Sequence, residues 1–346
     1  MKFSNFLFPQ AETPEDDSRV IDETLYEARL SDELGVEVLW LAEHHFDGIC
    51  AYVDPVCFAA AIAATTTRIK IGFAVAQMSL HHPIRMAEQM ALIDNISHGR
   101  LIVGLGRGTA YNIYDYQGYG IDPEEAQERL LESEEIMIGA WNGGNYVHDG
   151  KYWQIKLPLL RPRPFTKPHP PLIRACSGEA SMVQMAREGR PFMMNVQTDD
   201  VTRHRMDLYR QTQRDCGYDD ATIADNVDQS WVWRNIFVAD TDAEAERVGV
   251  RLLEAQLEMR TRMRRRIYAE QGVSMVDMDT PSTPARVQQQ HSLIHGSPDT
   301  VAEAIAAIDD IGVGGIIMSF RMGPMPIEVA EHSLRLFMDK VAPRFR

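Results

Sequence analysis

The run IKIGFAVAQMSLHHPIRMAEQMALIDNISHGRLIVGLGRG, residues 69–108, decides the fold. It opens on Ile69–Ala76, an apolar segment that reads as a buried strand. Ile84–Ile96 follows with apolar residues at helical spacing, and Leu101–Leu105 is a second apolar segment of strand length. Strand, helix, strand is the unit that joins two parallel strands by a crossover.

The same rhythm extends outward in both directions. Strand-like runs lie at Lys2–Phe8, Glu37–Leu41, Leu172–Ala175, Pro191–Met194, Trp231–Val238 and Gly315–Phe320. Helical patterns separate them at Ile21–Leu34, Pro55–Ala64, Pro123–Trp141, Ala180–Glu188, Val201–Cys216, Ala243–Met263 and Pro298–Ile311, and Pro326–Val341 closes the chain. Thr241-Asp242-Ala243-Glu244 has the form of a capping box, and Ser297-Pro298 that of a cap followed by a first-turn proline. Gly35 and Gly312 stand where helices end in a left-handed residue. This alternation predicts an α/β protein, a closed (β/α)8 TIM barrel, with a doubly wound sheet as the other arrangement of the same pattern. All 346 residues fit one barrel domain, 1–346, with insertions at Asn142–Pro171 and Arg264–Gly296 where the rhythm breaks.

Bulk properties narrow the function. A formal charge of −15 with no extended basic stripe argues against a nucleic-acid partner. The one basic cluster, Arg260–Arg266, reads as a solvated or loop-contacting helix face. Cys50, Cys57, Cys176 and Cys216 lack metal-binding or redox spacing, as expected of reduced thiols in a cytoplasmic enzyme. No segment has the run of about 20 apolar residues that spans a bilayer, and the amino terminus lacks a signal-peptide core, so no membrane association is expected.

In such a barrel the chemistry sits just beyond the strand ends. After the second strand comes Glu43-His44-His45, suited to proton transfer or to a metal. A second pair, His81-His82, follows the third strand, and one histidine of each pair has a plainer reading as a partner of backbone. Gly104-Leu105-Gly106-Arg107-Gly108 follows the fourth strand; its glycines permit close approach to a ligand, and Arg107 offers a forked donor to phosphate. Cys176-Ser177-Gly178-Glu179-Ala180-Ser181 leads into a helix whose first N–H groups suit an anion, or an ordinary serine cap. Met193-Met194 and Trp231-Val232-Trp233 read as filler and as a two-faced strand.

Four stretches together resemble bacterial luciferase and its monooxygenase relatives. They are Met1-Lys2-Phe3-Ser4-Asn5-Phe6-Leu7, Leu39-Trp40-Leu41-Ala42-Glu43-His44-His45-Phe46, the run 69–108, and the ending GGIIMSF…HSLRLFMDKVAPRF. The resemblance covers essentially the whole chain and is strongest from Val38 to Gly108. It implies a barrel that binds reduced FMN, delivered by a separate flavin reductase, and uses O2 to oxygenate a small apolar organic substrate. It places His44 as the catalytic base, with Glu43 beside it, and a non-prolyl cis peptide at Ala74-Val75 behind the flavin ring. It assigns the phosphate to Arg107, Ser177, Gly178 and Ser181, puts Asn195 near the ring, and requires no metal. It also places the Glu88 helix and the His81-His82 region at a homodimer interface, making that pair structural. Two departures count against light emission and a long-chain aldehyde substrate: Gly106 replaces luciferase's reactive cysteine, and Ser177 its acidic residue. Three rivals remain: a deazaflavin-dependent dehydrogenase on the same barrel, a metal hydrolase using His44, His45 and a carboxylate, and a non-catalytic flavin-binding subunit.

Overall fold

The computed structural model describes residues 1–108, 112–270 and 293–346. Eight parallel strands close into a barrel: β1 (Lys2–Leu7), β2 (Val38–Leu41), β3 (Lys70–Phe73), β4 (Leu101–Gly106), β5 (Leu172–Cys176), β6 (Phe192–Met194), β7 (Trp231–Val238) and β8 (Gly315–Ser319). Each pairs with the next in chain order, and β8 returns to β1 with Lys2 opposite Gly315. Closure excludes the doubly wound alternative.

Helices α1 (Asp17–Glu33), α2 (Pro55–Thr65) and α3 (Pro83–Ile96) follow the first three strands. α4 (Ile113–Tyr119) and α5 (Ala126–Asn142) follow β4, and α6 (Glu179–Arg187) follows β5. After β6 come α7 (Asp199–Asp215) and α8 (Asp220–Asp228); α9 (Asp242–Glu270), α10 (Pro298–Asp309) and α11 (Ile327–Leu336) complete the set. Starts are locally encoded. Asp54 accepts from the N–H groups of Val56 and Cys57 at 2.9 and 3.1 Å, ahead of Pro55 in the first turn of α2. Thr241 caps α9 by accepting from Glu244 N at 3.2 Å. Ser297 occupies the cap position of α10, but its hydroxyl makes no cap bond; its N–H donates to Asp242 instead, at 2.7 Å. Gly35 and Gly312 hold φ of 77° and 74° after their helices.

Several elements depart from the sequence expectation. The run Ile69–Ala76 is not one strand: β3 ends at Phe73, the Ala74-Val75 peptide is cis, and Ala76–Gln77 pairs separately with β4. α4 and α8 were not expected, because each is short and flanked by turns. The stretch 142–171 contains an antiparallel hairpin, Tyr146–Asp149 with Gln154–Leu157. Of the stretch 264–296, α9 claims the start up to Glu270, and Leu293–Gly296 adds a parallel strand to β7; residues 271–292 lie outside the described residues.

The barrel's interior is filled below the rim. Trp40 and Trp231 meet edge to face, ring centres 5.3 Å apart. Gly72 and Gly315 leave them room: a Cβ at Gly72 would fall 2.4 Å from the Trp40 ring, and one at Gly315 2.3 Å from Trp231. Among the described residues no helix is long and apolar enough to cross a membrane, and all four cysteines are free.

Candidate active site

Two cavities of similar size open at opposite ends of the barrel, about 500 Å³ at the strand starts beside Lys2, Glu37 and Lys70, and about 490 Å³ at the strand ends. Volume does not choose between them. Direction does, because loops at the carboxyl ends of barrel strands carry the chemistry, and the second cavity lies within the size range of small-molecule sites.

Seven of the residues expected from sequence line that cavity: Glu43, His44, Ala74, Val75, Arg107, Ser177 and Asn195. Gly178 and Ser181 do not. Gly178 caps α6 just past Ser177, and the Ser181 hydroxyl donates to the Gly178 carbonyl at 2.8 Å. Ser177 is exposed at this helix start, while among the described residues the Arg107 guanidinium makes no hydrogen bond or ion pair. Asn195 accepts from Gln197 Nε2 at 2.7 Å, and among the described residues its own NH2 has no hydrogen-bond partner. Met193, Met194 and the cis Ala74-Val75 link supply apolar wall.

The glycines after β4 serve the protein rather than a ligand. A Cβ on Gly104 would lie 1.7 Å from the Phe73 carbonyl oxygen, and one on Gly106 2.5 Å from Val75 Cγ2. They let the chain leave β3 through the cis link. The departure from luciferase at Gly106 therefore has a local cause: Val75 fills the space a cysteine would need. Gly106→Cys is expected to cost about 1–3 kcal/mol by overpacking, measured as a lower denaturation midpoint; an unshifted midpoint would contradict this account.

Glu43 is buried at 3 % exposure and is the hub of the rim. Its Oε1 faces His45 Nε2 at 2.8 Å and His81 Nε2 at 2.5 Å, and its Oε2 accepts from Gln77 N at 2.7 Å. Burial alone would raise its pKa, but the hydrogen bonds from His45 and His81 hold it at about 2. For His81, burial disfavours the imidazolium, and the bond to Glu43 outweighs that, so its pKa ends raised. Among the described residues neither histidine ring bonds to backbone, and His81 belongs to this network. His82 packs on Trp153, ring centres 4.7 Å apart.

Glu43, His45 and His81 are also a donor set of a kind that binds metal ions. Two ligands about 2.1 Å from one tetrahedral ion lie about 3.4 Å apart. The observed 2.5 and 2.8 Å are hydrogen-bond spacings. The trio also omits His44, which the metal-hydrolase rival required.

His44 sits half-buried in the cavity wall against Phe8, ring centres 4.9 Å apart, with Nδ1 3.4 Å from Asn112 Nδ2. Its pKa is lowered, mainly by burial and further by Arg260, against the opposing pull of Asp47 and Asp115. Arg260 lies 5.7 Å from the Phe8 ring centre, so the start of the basic cluster faces the site rather than open solvent. Cys176 lines the cavity too, with burial raising its thiol to about 11, well away from thiolate reactivity.

Sequence reasoning missed Gln77, Asn112, Asp115 and Trp233. Trp233 lines the cavity, on the same strand face as Trp231 two residues earlier. That spacing was the available signal. For Asp115 the signal was weak, a lone acidic residue a few positions beyond Arg107.

Comparison with known proteins agrees with this geometry. The sequence profile of the luciferase-like monooxygenases matches residues 1–314. A monooxygenase from Streptomyces bottropensis is 27% identical, with a TM-score of 0.82 and full coverage of both chains. The oxygenating constituent of 3,6-diketocamphane monooxygenase from Pseudomonas putida, solved in complex with FMN, is 21% identical with a TM-score of 0.79, covering all of this chain and 99% of that one. The fold also extends to a coenzyme F420-dependent tetrahydromethanopterin reductase from Methanopyrus kandleri, 17% identical with a TM-score of 0.69 and coverage of 100% and 99%.

Proposed function

Because this chain belongs to the luciferase-like monooxygenase family, an oxidoreductase family, we propose that the rim cavity holds reduced FMN and that the protein oxygenates a small apolar organic substrate with O2. One observation carries the reading: a single cavity of about 490 Å³ is walled by an arginine whose guanidinium makes no hydrogen bond or ion pair among the described residues, a helix-start serine, an apolar cis link and a histidine.

When bound, reduced flavin supplies the two electrons that send one atom of O2 to the substrate and the other to water. The protein's part is binding, orientation and proton handling. Arg107 and the Ser177 hydroxyl hold the phosphate, with the N–H groups opening α6 at its edge. Gly178 and Ser181 shape that helix start. Ala74 and Val75 back the ring, and the Asn195 amide donates to it. His44 manages the proton at the cavity wall, where its lowered pKa keeps it neutral. The substrate meets the apolar surface of Phe6, Met194 and Trp233.

The oxygenase receives its flavin already reduced, from a separate flavin reductase in the cytoplasm. It pairs as a homodimer through α3, which exposes Leu92 and Ile96 near Glu88. Arg107→Ala is expected to weaken FMN binding about 10- to 100-fold while leaving riboflavin affinity unchanged, as read by fluorescence titration. Equal losses for both would remove the phosphate from Arg107. The reading as a whole is tested by oxygen uptake with chemically reduced FMN across a panel of organic substrates, alongside titration with a deazaflavin. Binding of the deazaflavin and not FMN would overturn it.

A further inference from the structure

The hydrogen bonds around His44 are ordered by groups with a single polarity. Asp115 is 2 % exposed. Its Oδ2 receives Gln77 Nε2 at 2.7 Å and Asn112 Nδ2 at 2.8 Å, and its Oδ1 receives His45 N at 3.2 Å. Burial raises the Asp115 pKa, against the hydrogen bonds from Gln77 and Asn112 that favour the carboxylate; the carboxylate only accepts, so in that form both amides present their NH2 groups to it. With Asp115 ionised this fixes which end of the Asn112 amide is nitrogen, an assignment that is otherwise open to a flip.

The same Asn112 nitrogen lies 3.4 Å from His44 Nδ1. The separation is long, yet only one polarity makes it attractive. An amide NH2 donates and does not accept, so Nδ1 must carry its lone pair and not a proton. We infer that Asp115 is a positioning residue which, through Asn112, holds His44 as the neutral Nε2–H tautomer. His44 lines the cavity with Nδ1 already turned to Asn112, so Nε2–H is what it offers a bound molecule.

The inference rests on the proposed function for its consequence, and it changes the role given to His44 there. A neutral Nε2–H ring begins as a hydrogen-bond donor to a ligand oxygen rather than as a base. Gln77 ties this arrangement to the Glu43 hub, because its Nε2 also donates to the Glu43 carbonyl at 3.0 Å.

The test needs no turnover. Full-length protein labelled with ¹⁵N-histidine is examined by two-bond ¹H–¹⁵N correlation at neutral pH without flavin, with His44 assigned by its loss in His44→Gln. Wild type is expected to show Nε2–H alone. Asn112→Asp, which sets an acceptor against Nδ1, is expected to move the proton to Nδ1, and Asn112→Leu to give a mixture. In oxygen-uptake assays both variants are expected to lose kcat about 10- to 100-fold with KM little changed. An Nδ1–H ring in wild type, or a spectrum indifferent to both substitutions, overturns the inference. An Nε2–H ring that responds as expected in a protein without flavin-dependent oxygenation supports the tautomer and removes the proposed function instead.

Discussion

His44→Ala is expected to bind FMN nearly as well as wild type and to oxygenate about 10²- to 10⁴-fold more slowly, the usual contribution of a positioned proton donor or acceptor. The asymmetry follows from the division of labour at the cavity. On the proposed reading phosphate and ring rest on Arg107, Ser177 and the apolar wall, none of which depends on the imidazole. The pH profile sharpens the prediction. The His44 pKa is lowered from its ordinary 6.5, so the neutral ring survives into mildly acid solution and is lost only as pH falls through the lowered value. The acid limb of kcat/KM should therefore lie below pH 6.5 and vanish in His44→Ala. A variant turning over at the wild-type rate would strip His44 of its role.

Glu43→Gln is the second large effect, and it acts on stability. The carboxylate is buried and answers two histidines, one of them with a raised pKa. Removing one member of a buried charge pair costs about 3–5 kcal/mol, because the other is left without compensation. The sign of the pH dependence separates the partners. Glu43 has a depressed pKa, so its contribution is complete above its unfolded value of 4.5 and is lost as pH falls toward about 2. His81 has a raised pKa, so its contribution is complete below its unfolded value of 6.5 and is lost as pH rises through the folded one. The network is strongest between those limits. Urea titrations across pH should show Glu43→Gln losing most stability in that window and losing the acid dependence itself. A loss that is the same at every pH would point to packing and not to charge.

What the sequence disclosed was whatever is local. Each barrel strand carries its own apolar run, so the parallel alternation was legible within a residue or two at most ends. Glu43, His44, Arg107 and Ser177 each follow directly on a strand, and the barrel's geometry gathers such positions without further information. The hidden part depends on pairing between distant elements. His81 lies 38 residues from the carboxylate it meets, and Asp115 reaches His44 only through Asn112. The glycines of β4 were legible as close-approach positions, but not what approaches: the partner is the Phe73 carbonyl and Val75, set by the cis link on the neighbouring strand. The family resemblance supplied that link, which no spacing rule would have placed.

The tryptophan pair beneath the cavity carries one more consequence. Trp40 and Trp231 are at 0 % and 3 % exposure and fill the barrel's waist between its two openings. Among the described residues these rings leave a molecule seated above them no passage downward, so on the proposed reading substrate, product and cofactor share one doorway at the rim. Entry to the cavity and exit from it are then confined to that opening, by a floor of indole rings rather than by the chemistry above it.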